Sequence, residues 1–198
     1  CRLSRFSCRL ESLPEKPRPA LGEKAGAVTV ETPDLVVSVN ARTGLMDVYR
    51  ADGFDLLGPD AFAPLVIKDN ADPWGMKVRS FRAVEGRFAP ATPEQTALFC
   101  GLREGGLAPV RVIEDGPVRA VIEAVLAYGG SRLALRYKIP KRGAEVEVEA
   151  RVFWAERDRM LKLSLPSKLH RPRFMGQVAF GADELPSNGD EAVAQKWL

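Results

Sequence analysis

Histidine is almost missing from this chain: His170 is the single one in 198 residues. A zinc-type centre usually draws on two or more histidines, or on carboxylates gathered around one, and neither pattern occurs. A Ser-His-Asp triad needs only one histidine. Yet no G-x-S-x-G elbow accompanies His170 and no cysteine is placed to pair with it. It sits among Lys168, Arg171 and Arg173, which reads as a solvated basic loop. Cysteine is scarce as well. Cys1, Cys8 and Cys100 make an odd number without C-x-x-C spacing. That argues against a disulfide framework or zinc site and for free thiols in a reducing compartment, hence a cytoplasmic location. There is no run of about 18 apolar residues, the length of a helical membrane span. Phosphate-cradling glycine loops are also lacking, since Gly101, Gly105 and Gly106 do not sit between a strand and a helix. Nor is there a one-signed charge cluster: 29 basic and 26 acidic residues are spread along the chain, for a net charge of +3. A nucleic-acid footprint would gather its Lys and Arg.

What the chain has instead is alternation. Glu145, Glu147, Glu149 and Arg151 alternate with Val146, Val148, Ala150 and Val152, and Trp154 follows in the apolar phase. Successive strand side chains point to opposite faces, so this segment has one wet face and one buried face, with Trp154 in the core. Residues 118–127 and 133–139 precede it, separated by Gly129-Gly130-Ser131 and 140–143; residues 161–165 follow after a turn at 156–159. Four strands in simple succession, each with one wet face, predict an antiparallel meander forming one wall of a sandwich. Upstream, Leu35-Val36-Val37-Ser38-Val39 and Leu45-Met46-Asp47-Val48-Tyr49 flank a five-residue loop closed by Gly44, a hairpin signal. Leu65-Val66-Ile67 reads as a short strand in an otherwise loop-like 59–73. Residues 76–84, 96–103 and 110–114 read as further strands, 174–180 as another, and 184–191 as loop. No helix is expected. The expected fold is all-β, with 28–198 as the sandwich domain and the Pro-rich, charged 1–27 as a linker or inter-domain strap. The chain starts at Cys1 and stops at Gln195-Lys196-Trp197-Leu198, which reads as an entering strand. Both ends read as cut from a larger protein, with strands completing the sandwich expected beyond Leu198.

Candidate chemistry lies in loops. Asp69, Asp72, Asp190 and Glu191 are loop carboxylates, and a pair of carboxylates is what glycosidases use. Acidic loop residues more commonly bond their own backbone as turn-formers, which is the alternative here. Trp74, in Asp72-Pro73-Trp74-Gly75, is a large ring in a loop. It either packs locally or covers the C–H face of a sugar whose hydroxyls the nearby carboxylates grip.

Several segments, in order, resemble the C-terminal β domain of glycoside hydrolase family 38, the α-mannosidases. They are Asn40-Ala41-Arg42-Thr43-Gly44-Leu45, Asp69-Asn70-Ala71-Asp72-Pro73-Trp74 and Glu114-Asp115-Gly116-Pro117-Val118-Arg119. Then come Val152-Phe153-Trp154-Ala155-Glu156 with Met160-Leu161-Lys162-Leu163 and Pro166, and finally Asn188-Gly189-Asp190-Glu191 followed by Gln195-Lys196-Trp197. One departure is Glu184-Leu185-Pro186, where the family often has Arg-Pro.

The resemblance implies a galactose-mutarotase-like antiparallel β supersandwich and a parent that hydrolyses terminal α-mannosides with retention. It also implies an Asp nucleophile and a zinc ion in an N-terminal barrel domain, so that this chain carries no catalytic residue and no metal. What it carries over is support of the sugar pocket by Asp69, Asp72, Trp74, Asn188, Gly189, Asp190 and Glu191, against the chain's own N-terminal barrel and mannose-containing glycans. A free-standing carbohydrate-binding module is the alternative, resting on Trp74. An aldose epimerase, with a His and a Glu flanking the anomeric carbon, fits poorly with one histidine in a basic loop.

Overall fold

The computed structural model describes residues 26–69 and 80–198, and the backbone alone of strands at 2–4, 7–9 and 21–24. Strands β1 (Arg2–Ser4) and β2 (Ser7–Arg9) form a short hairpin. Strands β3 (Leu21–Lys24), β4 (Ala27–Glu31), β5 (Leu35–Asn40), β6 (Met46–Ala51) and β7 (Phe54–Leu57) then build one antiparallel sheet in chain order. The expected hairpin is β5–β6. Asn40 opens its loop by accepting the N–H groups of Arg42 and Thr43 on Oδ1 at 2.9 and 3.2 Å. Gly44 closes it at a φ of +73°, in the left-handed region that side chains disfavour. A Cβ there would also stand 2.6 Å from the Cβ of Ala124, so only glycine lets this loop press onto the neighbouring sheet.

The chain continues through β8 (Ala63–Lys68), β9 (Val84–Arg87), β10 (Ala89–Pro90), helix α1 (Pro93–Phe99), β11 (Val110–Asp115), β12 (Arg119–Tyr128), β13 (Ser131–Pro140) and β14 (Glu147–Phe153). It ends with β15 (Arg159–Ser164), β16 (Phe174–Val178) and β17 (Gly181–Leu185). The second large sheet runs β12-β13-β14, with β10 and β11 pairing along the other side of β12. The two large sheets face each other across one core. Val28, Val30, Leu35, Val37, Val39 and Met46 from the first pack against Ala120, Ile122, Ala124, Leu126, Leu133, Leu135, Tyr137 and Ile139 from the second. This is an all-β sandwich. Tyr137 buries its ring there and donates its hydroxyl to the Gly44 carbonyl at 2.9 Å, which ties the β5–β6 hairpin to β13. Burial, and then Asp47, push the phenol's pKa up, so the hydroxyl stays a donor.

The alternation in β14 appears in part, since Ala150 and Val152 of the expected buried face are exposed. Val146, Val148 and Trp154 pack against the core, and Trp154 stacks on Phe88 with ring centroids 6.3 Å apart. The glutamates line the other face, where Lys138 bridges Glu147 and Glu149 at 2.7 Å each. The short strand expected at 65–67 is the middle of β8.

Three expectations need correction. The meander does not run on into 161–165: β15 leaves it and pairs with β8, in a separate three-stranded sheet of order β15-β8-β9. Periodicity shows which face of a strand is buried but does not name its neighbour. Second, a helix exists where 96–103 read as a strand. Thr92 accepts the Gln95 N–H at 3.2 Å while Gln95 accepts the Thr92 N–H at 3.1 Å, and Pro93 occupies the first turn. This reciprocal cap satisfies otherwise orphaned donors and starts α1, in which Glu94, Gln95, Ala97 and Leu98 favour helix. Third, 184–191 is not all loop, because β17 reaches Leu185. Residues 195–198 run beside β16 without forming a strand; the Gln195 N–H donates to the Gln177 carbonyl, and the Gln177 N–H donates to that of Trp197. Strand β3, within the stretch read as a linker, pairs with β4. Asp72, Trp74 and the beginning of the strand expected over 76–84 lie outside the described residues; of its remainder, 80–83 is not strand and Val84 opens β9.

Candidate functional site: the 188–191 loop and its seat

The three-stranded sheet gathers most of the expected site residues. Its strands β8 and β9 flank the segment 69–83, whose base is closed by the Lys68 N–H donating to the Ala83 carbonyl at 2.8 Å. Asp69 stands at this base, its N–H donating to the Asp158 carbonyl at 2.9 Å. On the other side of the base, Phe81 and Arg82 form the seat of the 188–191 loop.

That loop is folded by its own side chains first. Asn188 accepts the Asp190 N–H on Oδ1 at 2.9 Å and donates from Nδ2 to the Asp190 carboxylate at 3.0 Å. Gly189 adopts a φ of +87° and lies directly against the Arg82 guanidinium, which a Cβ would strike. Arg82 in turn donates to the carbonyls of Asn188 and Gly189 at 2.7 and 3.3 Å. Glu191 then latches the loop down. Its Oε1 accepts from Lys162 Nζ at 2.5 Å and from the Phe81 N–H at 3.0 Å. The same ammonium donates to the Phe81 carbonyl at 2.9 Å and stands 5.9 Å from the Phe81 ring centroid. The Lys162 hydrogen bond, followed by the Phe81 N–H, holds the Glu191 carboxyl below the usual carboxylate range.

The chemistry of this cluster is positional. Glu191 is committed to an ammonium and a backbone donor, and Asp190 to Asn188. The arrangement fixes the backbone of the 188–191 loop against Phe81 and Arg82. Asn188, Gly189, Asp190 and Glu191 are therefore brought together, and Asp69 stands at the same base. Sequence reasoning missed Arg82 and Lys162, the residues that seat the loop. Lys162 lies inside the Leu161-Lys162-Leu163 run already singled out, so a signal existed; for Arg82 there was none.

Other residues singled out in the sequence hold the sandwich itself. Arg119 grips Glu114 through both carboxylate oxygens across the Gly116-Pro117 turn. Glu156 accepts from the Gly130 N–H and the Ser131 hydroxyl, each at 3.0 Å, clamping the β12–β13 turn. Two concavities lie away from the loop. One, of about 540 Å³, is an open groove along Arg119, Lys138, Arg142 and Glu145. The other, of about 210 Å³, lies between Phe99, Arg111, Glu123 and Arg151. Exposed His170 makes no part of either. Among the described residues no group of three or more His, Cys, Asp or Glu is placed to hold a metal ion.

Comparison with known families bears directly on this arrangement. Residues 91–197 match the family described as glycosyl hydrolases family 38 C-terminal domain, over more than half of the chain. The chain belongs to that family. No curated protein matches it. The matched stretch of this family 38 domain runs from α1 through β17 and takes in the 188–191 loop and Lys162. The first sheet and Arg82 precede it. The chain is thus part of a glycoside hydrolase of family 38.

Proposed function

We propose that this chain is the non-catalytic C-terminal β-sandwich portion of a retaining α-mannosidase, acting on terminal α-mannosides of glycans in the cytoplasm. Its 188–191 loop and the 69–83 segment, with Asp69, Asp72 and Trp74, shape the sugar pocket of a barrel domain elsewhere in the parent. The observation that carries this reading is the latch: in a domain of family 38, Glu191 and Asp190 are spent on Lys162, Phe81 and Asn188 and hold a loop in shape. Zinc is expected in the parent's barrel.

The test compares this chain with the full-length parent on an aryl α-mannoside with zinc added. Turnover by the parent alone is expected. Turnover by this chain alone would overturn the reading and require Asp69, Asp72, Asp190 and Glu191 to be re-examined as catalytic. In the parent, Gly189→Ala should raise KM several-fold with little change in kcat, because a displaced loop alters the pocket wall and not the reacting groups. An unchanged KM would remove the pocket-shaping role. Sugar binding by this chain alone, lost on Trp74→Ala, would favour the binding-module reading.

A further inference from the structure

The charges on the outer face of the second large sheet form a row running directly across four strands, from β11 to β14. Arg111 lies opposite Glu123, Glu123 opposite Arg136, and Arg136 opposite Glu149, so the sign alternates at each step. Opposite charges at cross-strand positions attract, and every member of this row is paired. Arg151 breaks the pattern. It follows Glu149 on the same face of β14, but the residue opposite it is Ala134. Its guanidinium lies 5.1 Å from the Phe99 ring centroid and makes no ion pair among the described residues.

The small Ala134 side chain leaves a hollow between Phe99, at the end of α1, and the arginines around it. This is the concavity of about 210 Å³, lined by Arg111, Arg136 and Arg151 against the single carboxylate of Glu123. Arg111 and Arg136 each take one oxygen of Glu123, so the lining keeps an excess of positive charge. Donors are left over as well. Arg136 spends Nε on Glu123 and Nη1 on Glu149, which leaves Nη2. Arg151 spends no N–H group, since its contact is with the face of a ring. A phosphate group suits such a lining. It carries a charge of about −1.5 to −2 at neutral pH with strong acceptor oxygens, and guanidinium forks bind those oxygens in pairs. The volume lies below the ~300 Å³ at which drug-sized sites begin, which limits the ligand to a small molecule.

We propose that this hollow is a binding site for the phosphate group of a small molecule, with Arg136 and Arg151 as its clamps and Ala134 as its floor. Arg111 stays with Glu123 and contributes charge from behind. The site shares no residue with the 188–191 loop or its seat, so it stands apart from the pocket-shaping role.

Cys100, an exposed thiol on the same wall, gives a local readout in the full-length parent. Bound phosphate should cover it. Its alkylation by iodoacetamide, followed by mass spectrometry of the Cys100 peptide, should slow several-fold on adding inorganic phosphate. Sodium chloride at the same ionic strength should not slow it. Arg151→Gln, at an exposed position, should raise the phosphate concentration needed for protection by about tenfold or more. Arg151→Lys should recover only part of that loss, because an ammonium keeps the charge without the fork. A hexose phosphate run in parallel separates two sources of the ligand. Protection at a lower concentration than inorganic phosphate marks an esterified ligand, and the reverse marks the free ion; either upholds the site. Alkylation indifferent to phosphate, protection matched by chloride, or protection that survives Arg151→Gln would overturn it. So would a Cys100 unreactive throughout, because another part of the parent would then fill the hollow.

Discussion

The two faces of the β12–β13 pair are both covered, and they are covered in opposite ways. On the inner face, Ala120, Ile122, Ala124 and Leu126 beside Leu133, Leu135, Tyr137 and Ile139 form an unbroken apolar layer, every one of them fully buried. On the outer face, Val121 and Val125 flank Glu123, a carboxylate only 2% exposed. Arg111 and Arg136 both bond it, and Arg111 also donates to the Cys100 sulfur at 3.1 Å. Helix α1 roofs this face, with Phe99 packed near Ala91, Val125 and Ala134. Shape-filling alone makes the inner layer. The outer one needs a charge neutralised by partners from two different strands, because a lone buried carboxylate is costly. The lesson is that burial on both sides of a strand does not require apolar residues on both sides, provided that each charge meets its partner.

Breaking the inner face should cost most. Leu135→Ala leaves a cavity in the centre of the sandwich and should lower stability by about 2–5 kcal/mol, read from the urea midpoint. Glu123→Gln tests the outer face. It should cost about 1–3 kcal/mol, by withdrawing the charged acceptor from two guanidinium groups. A loss as large as that of Leu135→Ala would mean that the ion pairs and not the apolar layer hold the sheet. Thr92→Ala removes the cap that starts the roof and should cost about 1 kcal/mol; no change would show that α1 is held by packing of Phe99 alone. The smallest effect belongs to an ion pair without a roof. Because the Glu191 carboxyl is depressed in the folded protein, its contribution is fully present above the ordinary Glu pKa and is lost as pH falls through the folded value. The 188–191 loop should therefore stay latched at neutral pH and release only in acid, below the ordinary carboxylate range. The Phe81 amide NMR shift should follow that release, and Glu191→Gln should abolish the titration.

Much of the inner face was legible in the sequence, because strand periodicity is a local property. The alternation from Glu145 to Trp154 gave the charged side of β14 and the side on which Val146, Val148 and Trp154 meet the core, though Ala150 and Val152 stay exposed, and the loop around Gly44 gave the β5–β6 hairpin. Legibility stopped where identity depends on a distant partner. The apolar phase of 161–165 showed a strand but not that it would join β8. Helix α1 was written in Thr92-Pro93-Glu94-Gln95, but a seven-residue helix is too short for its periodicity to outweigh that cap's neighbours. The loop at the candidate site could be read from Asn188-Gly189-Asp190-Glu191. Its seat could not, since Arg82 and Lys162 come from far parts of the chain and carry no local pattern of their own.

The departure of β15 to pair with β8 bears on the order in which the molecule assembles. The β12-β13-β14 meander consists of neighbours joined by short turns, and such contacts close quickly. Strand β8 must instead wait until β15 has emerged, with most of the second sheet between them, and closing so long a loop carries a larger entropy loss. During synthesis the sandwich should therefore form around the meander first. The floor on which the 188–191 loop rests should be among the last parts to arrive, so that premature termination before β15 would leave β8 with only β9 to pair.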